Sequence, residues 1–226
     1  MYDRMSCALR VRKTGVDMKE TVWIGLCGRS GSGKGYVGSI FAALGVPVID
    51  TDAVYRLMSG PAHTPTECMT ELVSAFGERI LNPDNSLNRR AMADIVFAPD
   101  GDTARAQLNR ITHAHILRET KRLAQVYADE GCRFVLIDAP LLFESGFDAL
   151  CRYTVCVTAP DSVCVKRITA RDGITEEEAR RRLSAQIPAE ELAKRCDYVI
   201  VNDGVASVLP RAEEVIASIQ SDGGEQ

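Results

Sequence analysis

A glycine-rich segment near the start of the chain carries a lysine at a spacing that suits phosphate binding. The segment is Gly28-Arg29-Ser30-Gly31-Ser32-Gly33-Lys34-Gly35, and it matches three of the four defined positions of the phosphate-loop pattern G-x-x-x-x-G-K-[ST]. Glycines allow consecutive backbone N–H groups to face one anion, and the N-terminus of a following helix adds partial positive charge. Lys34 is then expected to contact the β- and γ-phosphates of a nucleotide.

The fourth position of the pattern lacks the hydroxyl that normally ligates Mg²⁺. Gly35 stands there and Tyr36 follows it. Ser30 and Ser32 supply nearby hydroxyls, but the geometry of such a loop does not favour either as a substitute ligand. Because Mg²⁺ keeps several waters in protein sites, a water molecule is expected to take the missing position.

Three aspartates follow short apolar runs that are typical of strands: Asp50, Asp52 and Asp138. In open α/β sheets, ligand-binding groups collect at the carboxyl ends of the strands. Phosphoryl transfer requires a metal ion and a group that orients or deprotonates the acceptor hydroxyl. We therefore expect Asp138 and Asp52 at the metal, with Asp52 also close to the acceptor. An alternative for Asp52 is that it only caps the helix that follows it.

Two arginines, Arg167 and Arg171, lie four residues apart and so share one face of a predicted helix. Arginine side chains stabilise the charge on a transferring phosphoryl group. The pair precedes the turn Asp172-Gly173, so a mobile lid is expected to bring it to the nucleotide. The nearby run Arg180–Arg182 is interpreted as a solvated surface.

The elements that position these residues alternate along the chain. Continuous apolar runs predict five strands buried in a parallel sheet, at Thr21–Cys27, Val46–Ile49, Arg133–Asp138, Tyr153–Thr158 and Tyr198–Val201. Helices are predicted over Gly33–Leu44, Asp161–Arg171 and Val205–Ile219, with another beginning at a capping box on Thr175. The stretch from Asp52 to about Glu130 predicts several helices and no strand. This alternation indicates an α/β layered fold with a helical insertion.

Composition excludes several classes of protein. The 226 residues are 46% hydrophobic and 26% charged, which is typical of a soluble globular chain. A net charge of −4 argues against a nucleic-acid binder. No apolar run is long enough to span a membrane, and the first twenty residues lack the pattern of a secretory signal. The eight cysteines form no C-x-x-C pair, which predicts small core residues in a reduced, cytoplasmic protein.

Further segments, taken in order with the phosphate loop, resemble the dephospho-CoA kinase family of P-loop small-molecule kinases. The resemblance extends from about Val22 to Gly204. Its segments are Leu44–Asp52 with Arg56, Phe76-Gly77, Ile80-Leu81, Asp84–Arg89, Val96-Phe97, Leu108-Asn109 with His113, Asp138–Glu144, Arg167, Arg171–Gly173, Gln186, and Asp197 with Asn202–Gly204. Asp138-Ala139-Pro140-Leu141-Leu142-Phe143-Glu144 is similar to the family's Asp-x-Pro-Leu-Leu-Phe-Glu signature. Ala114 replaces the proline that usually follows the histidine.

The resemblance implies a three-layer P-loop kinase fold, with a five-stranded parallel sheet flanked by helices. It implies a single unit over 1–226, with a core of about 21–55, 132–165 and 196–220, an acceptor-binding insertion of about 56–131 and a lid of about 166–195. The first 21 residues lie outside it, and Met18 is a possible alternative start. A monomer or weak homo-oligomer is expected.

The implied activity is transfer of the ATP γ-phosphoryl to the 3′-hydroxyl of dephospho-CoA, with Mg²⁺. Asp52 corresponds to the residue credited as general base, and Asn202–Gly204 are expected beside the adenine. The remaining implied ATP contacts are Gly28, Arg29, Ser30, Gly31, Ser32, Gly33, Lys34, Gly35 and Tyr36. The implied acceptor contacts are Arg56, Arg89, His113, Pro140, Leu141 and Glu144. His113 is equally compatible with a structural role between helices.

Two other functions stay open at this point. One is a kinase of the same architecture that acts on another small acceptor, such as a nucleoside monophosphate. The other is a nucleotide-binding relative with weakened or absent catalysis, for which Gly35 is the support. Both share the phosphate loop, so the identity of the acceptor and the presence of turnover distinguish them.

Overall fold

The computed structural model describes residues 21–222. Cys7 and the alternative start at Met18 lie outside this range. The chain divides into two compact units. Among the described residues, the sheet unit contains 21–49 and 124–222, and the helical unit contains 50–123.

A five-stranded sheet forms the centre of the sheet unit. Its strands are β1 (Val22–Gly28), β2 (Val48–Asp50), β3 (Phe134–Asp138), β4 (Tyr153–Thr158) and β5 (Tyr198–Val201), in the spatial order β2-β3-β1-β4-β5. The pairs β1–β3, β1–β4 and β4–β5 are parallel. The predicted parallel α/β sheet is therefore confirmed, and β1 lies at its centre.

Apolar side chains from both faces of β1 explain why that strand is central. Helices α1 (Lys34–Ala43) and α9 (Leu209–Asp222) supply one layer of the core around the sheet. The cluster contains Ile24, Leu26, Val37, Phe41, Leu136, Val155, Val157, Ile200, Val215 and Ile219, all of them buried. A strand buried on both faces needs a continuous apolar run, and the run at Thr21–Cys27 meets that need.

Three further helices follow β4. They are α6 (Asp161–Asp172), α7 (Glu176–Ser184) and α8 (Ala189–Lys194). The predicted capping box is present, because Thr175 Oγ1 accepts the Glu178 N–H while the Glu178 carboxylate accepts the Thr175 N–H. Helices α6 and α7 pack against each other through one buried cluster. Its members are Cys164, Val165, Ile168, Ala179 and Leu183.

The helical unit has its own core. It contains α2 (Thr51–Met58), α3 (Glu67–Phe76), α4 (Arg89–Val96) and the first part of α5 (Asp102–Asp129). Side-chain caps begin three of these helices, at Asp50, Thr66 and Asn88. The buried cluster is Cys68, Met69, Leu72, Phe76, Ile80, Leu87, Met92, Val96 and Ile111.

The last helix begins later than predicted. The sequence favoured a start at Val205, whereas α9 begins at Leu209. Asp203 Oδ1 accepts the backbone N–H groups of Val205 and Ala206, which holds these residues in a turn. Within residues 21–222, no helix is both long and apolar enough to cross a membrane.

Candidate active site

The loop between β1 and α1 adopts a conformation that only glycine permits at two positions. Gly31 and Gly33 have φ angles of 77° and 87°, in the left-handed region. A Cβ on Gly31 would lie 2.5 Å from the Cys164 carbonyl oxygen, and one on Gly33 would lie 2.1 Å from Asn202 Nδ2. Side chains are therefore excluded on both conformational and steric grounds.

The N-terminus of α1 offers backbone donors to an anion. Gly33 is its N-cap residue, no side chain caps it, and its first turn carries no acidic residue. The N–H groups at the start of an uncapped helix lack intrahelical partners and carry partial positive charge. These are the properties of a phosphate site.

Arg167 and Asn202 hold the loop through its carbonyl groups. Arg167 Nη1 donates to the carbonyl oxygens of Gly31 and Ser32, each at 3.2 Å. The same nitrogen donates to the Asn202 carbonyl at 3.0 Å, and Asn202 Nδ2 donates to the Ser32 carbonyl at 2.9 Å. With these carbonyls engaged by Arg167 and Asn202, the loop is fixed in its anion-binding conformation. Sequence reasoning expected Arg167 as a lid residue and did not find this positioning contact.

Lys34 and Asp138 form an ion pair within the sheet unit. Asp138 is the last residue of β3 and only 7% exposed, and Lys34 is the first residue of α1. A buried carboxylate is stable when it is paired in this way. The structure therefore brings together two of the predicted functional groups.

The position after Lys34 is open. Gly35 is exposed, and a Cβ built on it would meet no atom within 4 Å. Tyr36 beside it is 58% exposed. A serine side chain therefore fits at position 35 without displacing any neighbour.

The two loop serines are differently placed. The Ser30 N–H donates to Gln186 Oε1 at 3.0 Å, which links the loop to the segment after α7. Ser32 is 1% exposed, and its hydroxyl is buried with no hydrogen-bond partner among residues 21–222. That hydroxyl lies 2.7 Å from the position of a Cβ on Gly28, so it faces β1. That Ser32 does not replace the missing metal ligand stays a prediction.

Two arginines of the predicted nucleotide site make ion pairs near α6. Arg29 Nη1 contacts Asp161 at 2.7 Å, and its Nη2 donates to the Leu183 carbonyl at 2.9 Å. Arg171 binds Asp172 through both carboxylate oxygens, at 2.7 and 2.9 Å. Hydrogen bonds first from Arg171 and then from Arg182 lower the pKa of Asp172 to about 2. Asp172 is therefore ionised at neutral pH and holds Arg171 at the end of α6.

The signature after β3 forms an exposed turn. Pro140, Leu141 and Glu144 are exposed, whereas Leu142 is fully buried and anchors the turn. The Leu141 carbonyl accepts the Ser145 N–H at 2.9 Å. The three predicted acceptor contacts of this segment are thus accessible side chains on an ordered turn.

In the helical unit, the aspartates at the start of α2 have different roles. Asp50 is the N-cap, since its carboxylate accepts the Ala53 N–H at 3.0 Å, and it also contacts Arg56 at 3.3 Å. Asp52 lies in the first turn and is exposed. The alternative that Asp52 caps this helix is wrong, because Asp50 does so.

The other predicted acceptor contacts lie on α4 and α5. Arg89 is the first residue of α4 and stacks over the Tyr55 ring at 5.7 Å. His113 is half-buried on α5, and burial lowers its pKa, which favours the neutral imidazole. Nearby, the buried His115 contacts Glu71 at 2.8 Å and Arg118 at 2.9 Å, a network that the sequence did not reveal.

Comparisons with known proteins agree on one family. The model of the dephospho-CoA kinase family matches residues 22–207. A curated dephospho-CoA kinase of Corynebacterium efficiens is 39% identical over 197 residues, which cover 87% of this chain and 96% of the relative.

Two solved structures share the fold of this chain, and one of them is a dephospho-CoA kinase. A Thermus thermophilus protein, TT1252, superposes with a TM-score of 0.73 at 32% identity, covering 88% of this chain and 98% of that one. A dephospho-CoA kinase from Campylobacter jejuni superposes with a TM-score of 0.63 at 25% identity, covering 89% and 98%.

Proposed function

The chain belongs to the dephospho-CoA kinase family. From this premise we propose which role each side chain has in the transfer of the phosphoryl group. It is an ATP-dependent kinase that phosphorylates dephospho-CoA, a step of coenzyme A biosynthesis. The predicted family, fold class and activity are confirmed.

The phosphate loop binds the triphosphate of ATP. The observation that carries this assignment is the conformation of residues 28–34, whose carbonyls are held by Arg167 and Asn202 while the uncapped start of α1 presents its N–H groups. Backbone donors fixed in advance need no reorganisation when charge develops on the phosphoryl group. Lys34 adds an ammonium group that exchanges its contact with Asp138 for one with the phosphates.

Each unit supplies one carboxylate that suits Mg²⁺. Asp138 supplies a carboxylate of the kind that Mg²⁺ prefers, and Asp52 is the second predicted carboxylate. The ion, when bound, neutralises charge on the phosphates. Position 35 contributes no hydroxyl, so a water molecule would take that place when the ion is bound.

Asp52 accepts the proton of the acceptor hydroxyl. In this reaction the 3′-oxygen of dephospho-CoA forms a bond to the γ-phosphorus, the bond to the ADP oxygen breaks, and the proton passes to the carboxylate. An exposed carboxylate that is not occupied as a helix cap is available for this role. Arg167 positions the loop, and Arg171 approaches the nucleotide from the end of α6.

The acceptor contacts are the residues that the family resemblance indicated. Arg56, Arg89 and His113 belong to the helical unit, and Pro140, Leu141 and Glu144 to the turn after β3. Arginines suit the phosphate groups of dephospho-CoA, and Leu141 offers an apolar surface. Asn202, at the end of β5, flanks the adenine of ATP.

The chain is further proposed to act in the cytoplasm as a monomer or weak homo-oligomer. All cysteines among the described residues are free thiols, as expected in a reducing compartment. Light scattering coupled to size-exclusion chromatography measures the oligomeric state, and a stable complex larger than a dimer would contradict this assignment.

Calorimetric titration with ATP and Mg²⁺ tests the loop assignment. Lys34→Ala removes the ammonium group and is expected to weaken ATP binding roughly 10- to 100-fold, the equivalent of about 1.5–3 kcal/mol for a hydrogen bond to a charged group. Lys166→Ala, which removes an exposed lysine on α6, serves as the control and is expected to bind ATP like the parent. Equal affinity of both variants would refute the assignment.

A weakened nucleotide-binding relative is the second candidate, and Gly35 is the observation that favours it. That protein would bind ATP and dephospho-CoA without release of ADP. A measurement of turnover at several Mg²⁺ concentrations separates the two, since the kinase assignment requires ADP formation that depends on dephospho-CoA.

A further inference from the structure

Three cysteines, two from neighbouring strands and one from the segment before β5, lie close together within the sheet unit. Cys27 is in β1, Cys156 is in β4, and Cys196 precedes β5. Their three Sγ atoms all lie within 4.8 Å of one another, and those of Cys27 and Cys196 are 3.5 Å apart. The parallel register pairs Cys27 with Cys156, so the sheet itself sets the spacing of two of them.

The spacing of the sulfurs suits a single metal ion. Zn²⁺ binds thiolates at about 2.3 Å, which places the sulfurs of a tetrahedral site about 3.8 Å apart. The observed separations extend from 3.5 Å to less than 4.8 Å and therefore bracket that value. Changes of at most about 1 Å in these separations would bring all three sulfurs to the spacing of a tetrahedral site.

The three cysteines differ in burial. Cys27 and Cys156 are buried, whereas Cys196 is half-buried and lies in the segment between α8 and β5. Three thiolates supply three of the four ligands that are usual for Zn²⁺, and a water molecule would be the fourth.

Hydrogen bonds link the three sulfurs. Cys156 first, then Cys27 and Thr154, lower the pKa of the Cys196 thiol by hydrogen bonding to it. The same bonds raise the pKa of Cys27. Metal ligation requires deprotonated sulfur, and a bound cation would replace the shared protons.

We propose that Cys27, Cys156 and Cys196 form a binding site for one thiophilic divalent ion, Zn²⁺, held by three thiolates. The site uses none of the residues assigned to ATP, Mg²⁺ or dephospho-CoA. Because Cys27 directly precedes Gly28, a bound ion ties the start of the phosphate loop to β4 and to the entry of β5. Zinc binding is therefore expected to stabilise the sheet unit.

Metal titration of the reduced full chain tests the proposal. Zn²⁺ is added in competition with a chromophoric chelator, and Co²⁺ is added in a parallel experiment to report thiolate ligation by its charge-transfer absorption. The expected result is one equivalent bound, a sulfur-to-cobalt band that Zn²⁺ removes, and a higher midpoint of thermal unfolding with Zn²⁺.

Single substitutions locate the site. Cys196→Ser and, separately, Cys156→Ser are expected to weaken Zn²⁺ binding more than about 100-fold, since loss of a residue that only hydrogen-bonds to a metal ligand already costs roughly 10- to 100-fold. The controls are Cys151→Ser, which alters another half-buried cysteine, and Cys68→Ser in the helical unit; both are expected to bind like the parent. Circular dichroism identifies any variant that does not fold. If one of the two cluster variants is unfolded, Zn²⁺ binding by the other one tests the proposal.

Three outcomes would overturn the proposal. The first is the absence of stoichiometric binding by the reduced chain. The second is a cobalt band that survives in a folded Cys196→Ser or Cys156→Ser variant. The third is a Cys27–Cys196 disulfide that forms under mild oxidation in a protein whose reduced form binds no zinc, which would identify a redox pair. None of these results depends on the kinase assay, so the zinc-site proposal and the kinase assignment can be refuted independently of each other.

Discussion

At position 35, the chain tolerates a glycine because of what surrounds it. The residue is exposed in the first turn of α1, and a Cβ there would meet nothing within 4 Å. Absence of a side chain therefore leaves no buried group without a partner and creates no cavity. We therefore expect Gly35 to act mainly on the proposed metal site, which would lack one protein ligand.

Gly35→Ser is expected to restore that ligand. A hydroxyl at this position is predicted to raise kcat or tighten Mg²⁺ activation roughly 10- to 100-fold, the equivalent of about 1–3 kcal/mol. Gly35→Ala is the matched control, because it adds the same Cβ and a gain in helix propensity without an oxygen. Steady-state kinetics over a range of Mg²⁺ concentrations makes the measurement. Identical behaviour of the serine and alanine variants would show that position 35 does not reach the metal.

Asp52→Asn removes the proposed base and keeps the shape of the side chain. Turnover is expected to fall about 10²- to 10⁴-fold, the usual contribution of general base catalysis, while ATP affinity changes little. Asp94→Asn alters an exposed aspartate of the same unit and should leave turnover intact. Retention of most of the turnover in Asp52→Asn would contradict the assignment.

The sequence indicated what chemistry individual residues could perform, but it did not indicate which residues they contact. Asp50 and Asp52 were both recognisable as carboxylates after a strand, yet only the structure shows that Asp50 caps α2. Both positions satisfy the preference for aspartate near a helix N-terminus, so residue type alone could not separate them. The Lys34–Asp138 pair joins residues 104 apart in the chain and depends on β1 pairing with β3.

At the scale of elements, Arg167 joins α6, the phosphate loop and the end of β5. One guanidinium nitrogen contacts three carbonyl oxygens. A planar group with several fixed donors suits this role, which a lysine ammonium group would fill poorly. Because Arg167 is held by α6 and the end of β5, its hydrogen bonds fix the conformation of the loop.

Arg167→Ala is expected to loosen the loop. Loss of hydrogen bonds to a charged group predicts about 1.5–3 kcal/mol less stability, together with weaker ATP binding. Arg167→Lys keeps the charge but not the fork and should recover only part of both. Urea denaturation and ATP calorimetry measure the two effects. Arg180→Ala, an exposed arginine on α7, should stay within about 0.5 kcal/mol of the parent. An unchanged Arg167→Ala would disprove the positioning role.

Local sequence patterns predicted the helices and strands, but they did not predict contacts between residues far apart in the chain. Continuous apolar runs located five strands, and the Thr175 capping box located α7, because these signals lie within a few neighbouring residues. The start of α9 was wrong by four residues, since the Asp203 side chain competes for backbone N–H groups. The cysteine cluster was missed because its spacing comes from strand register, which no single segment carries.

At the scale of the whole molecule, each unit has its own buried cluster and its own share of the predicted site. The sheet unit contains the phosphate loop, Asp138 and the arginines of α6, and the helical unit contains Asp52, Arg89 and His113. The family resemblance had indicated both shares from short motifs. Most of these motifs lie within one unit, whereas Leu44–Asp52 continues from the sheet unit into the helical unit.

Release of ADP with dephospho-CoA as the acceptor tests the central claim most directly. A coupled assay with ATP and Mg²⁺ compares dephospho-CoA with a panel of nucleoside monophosphates at equal concentration. The kinase assignment predicts turnover with dephospho-CoA, formation of coenzyme A in equal amount to ADP, and little activity on the other acceptors. A clear preference for a nucleoside monophosphate, or tight binding of ATP and dephospho-CoA without any ADP at any Mg²⁺ concentration, would contradict it.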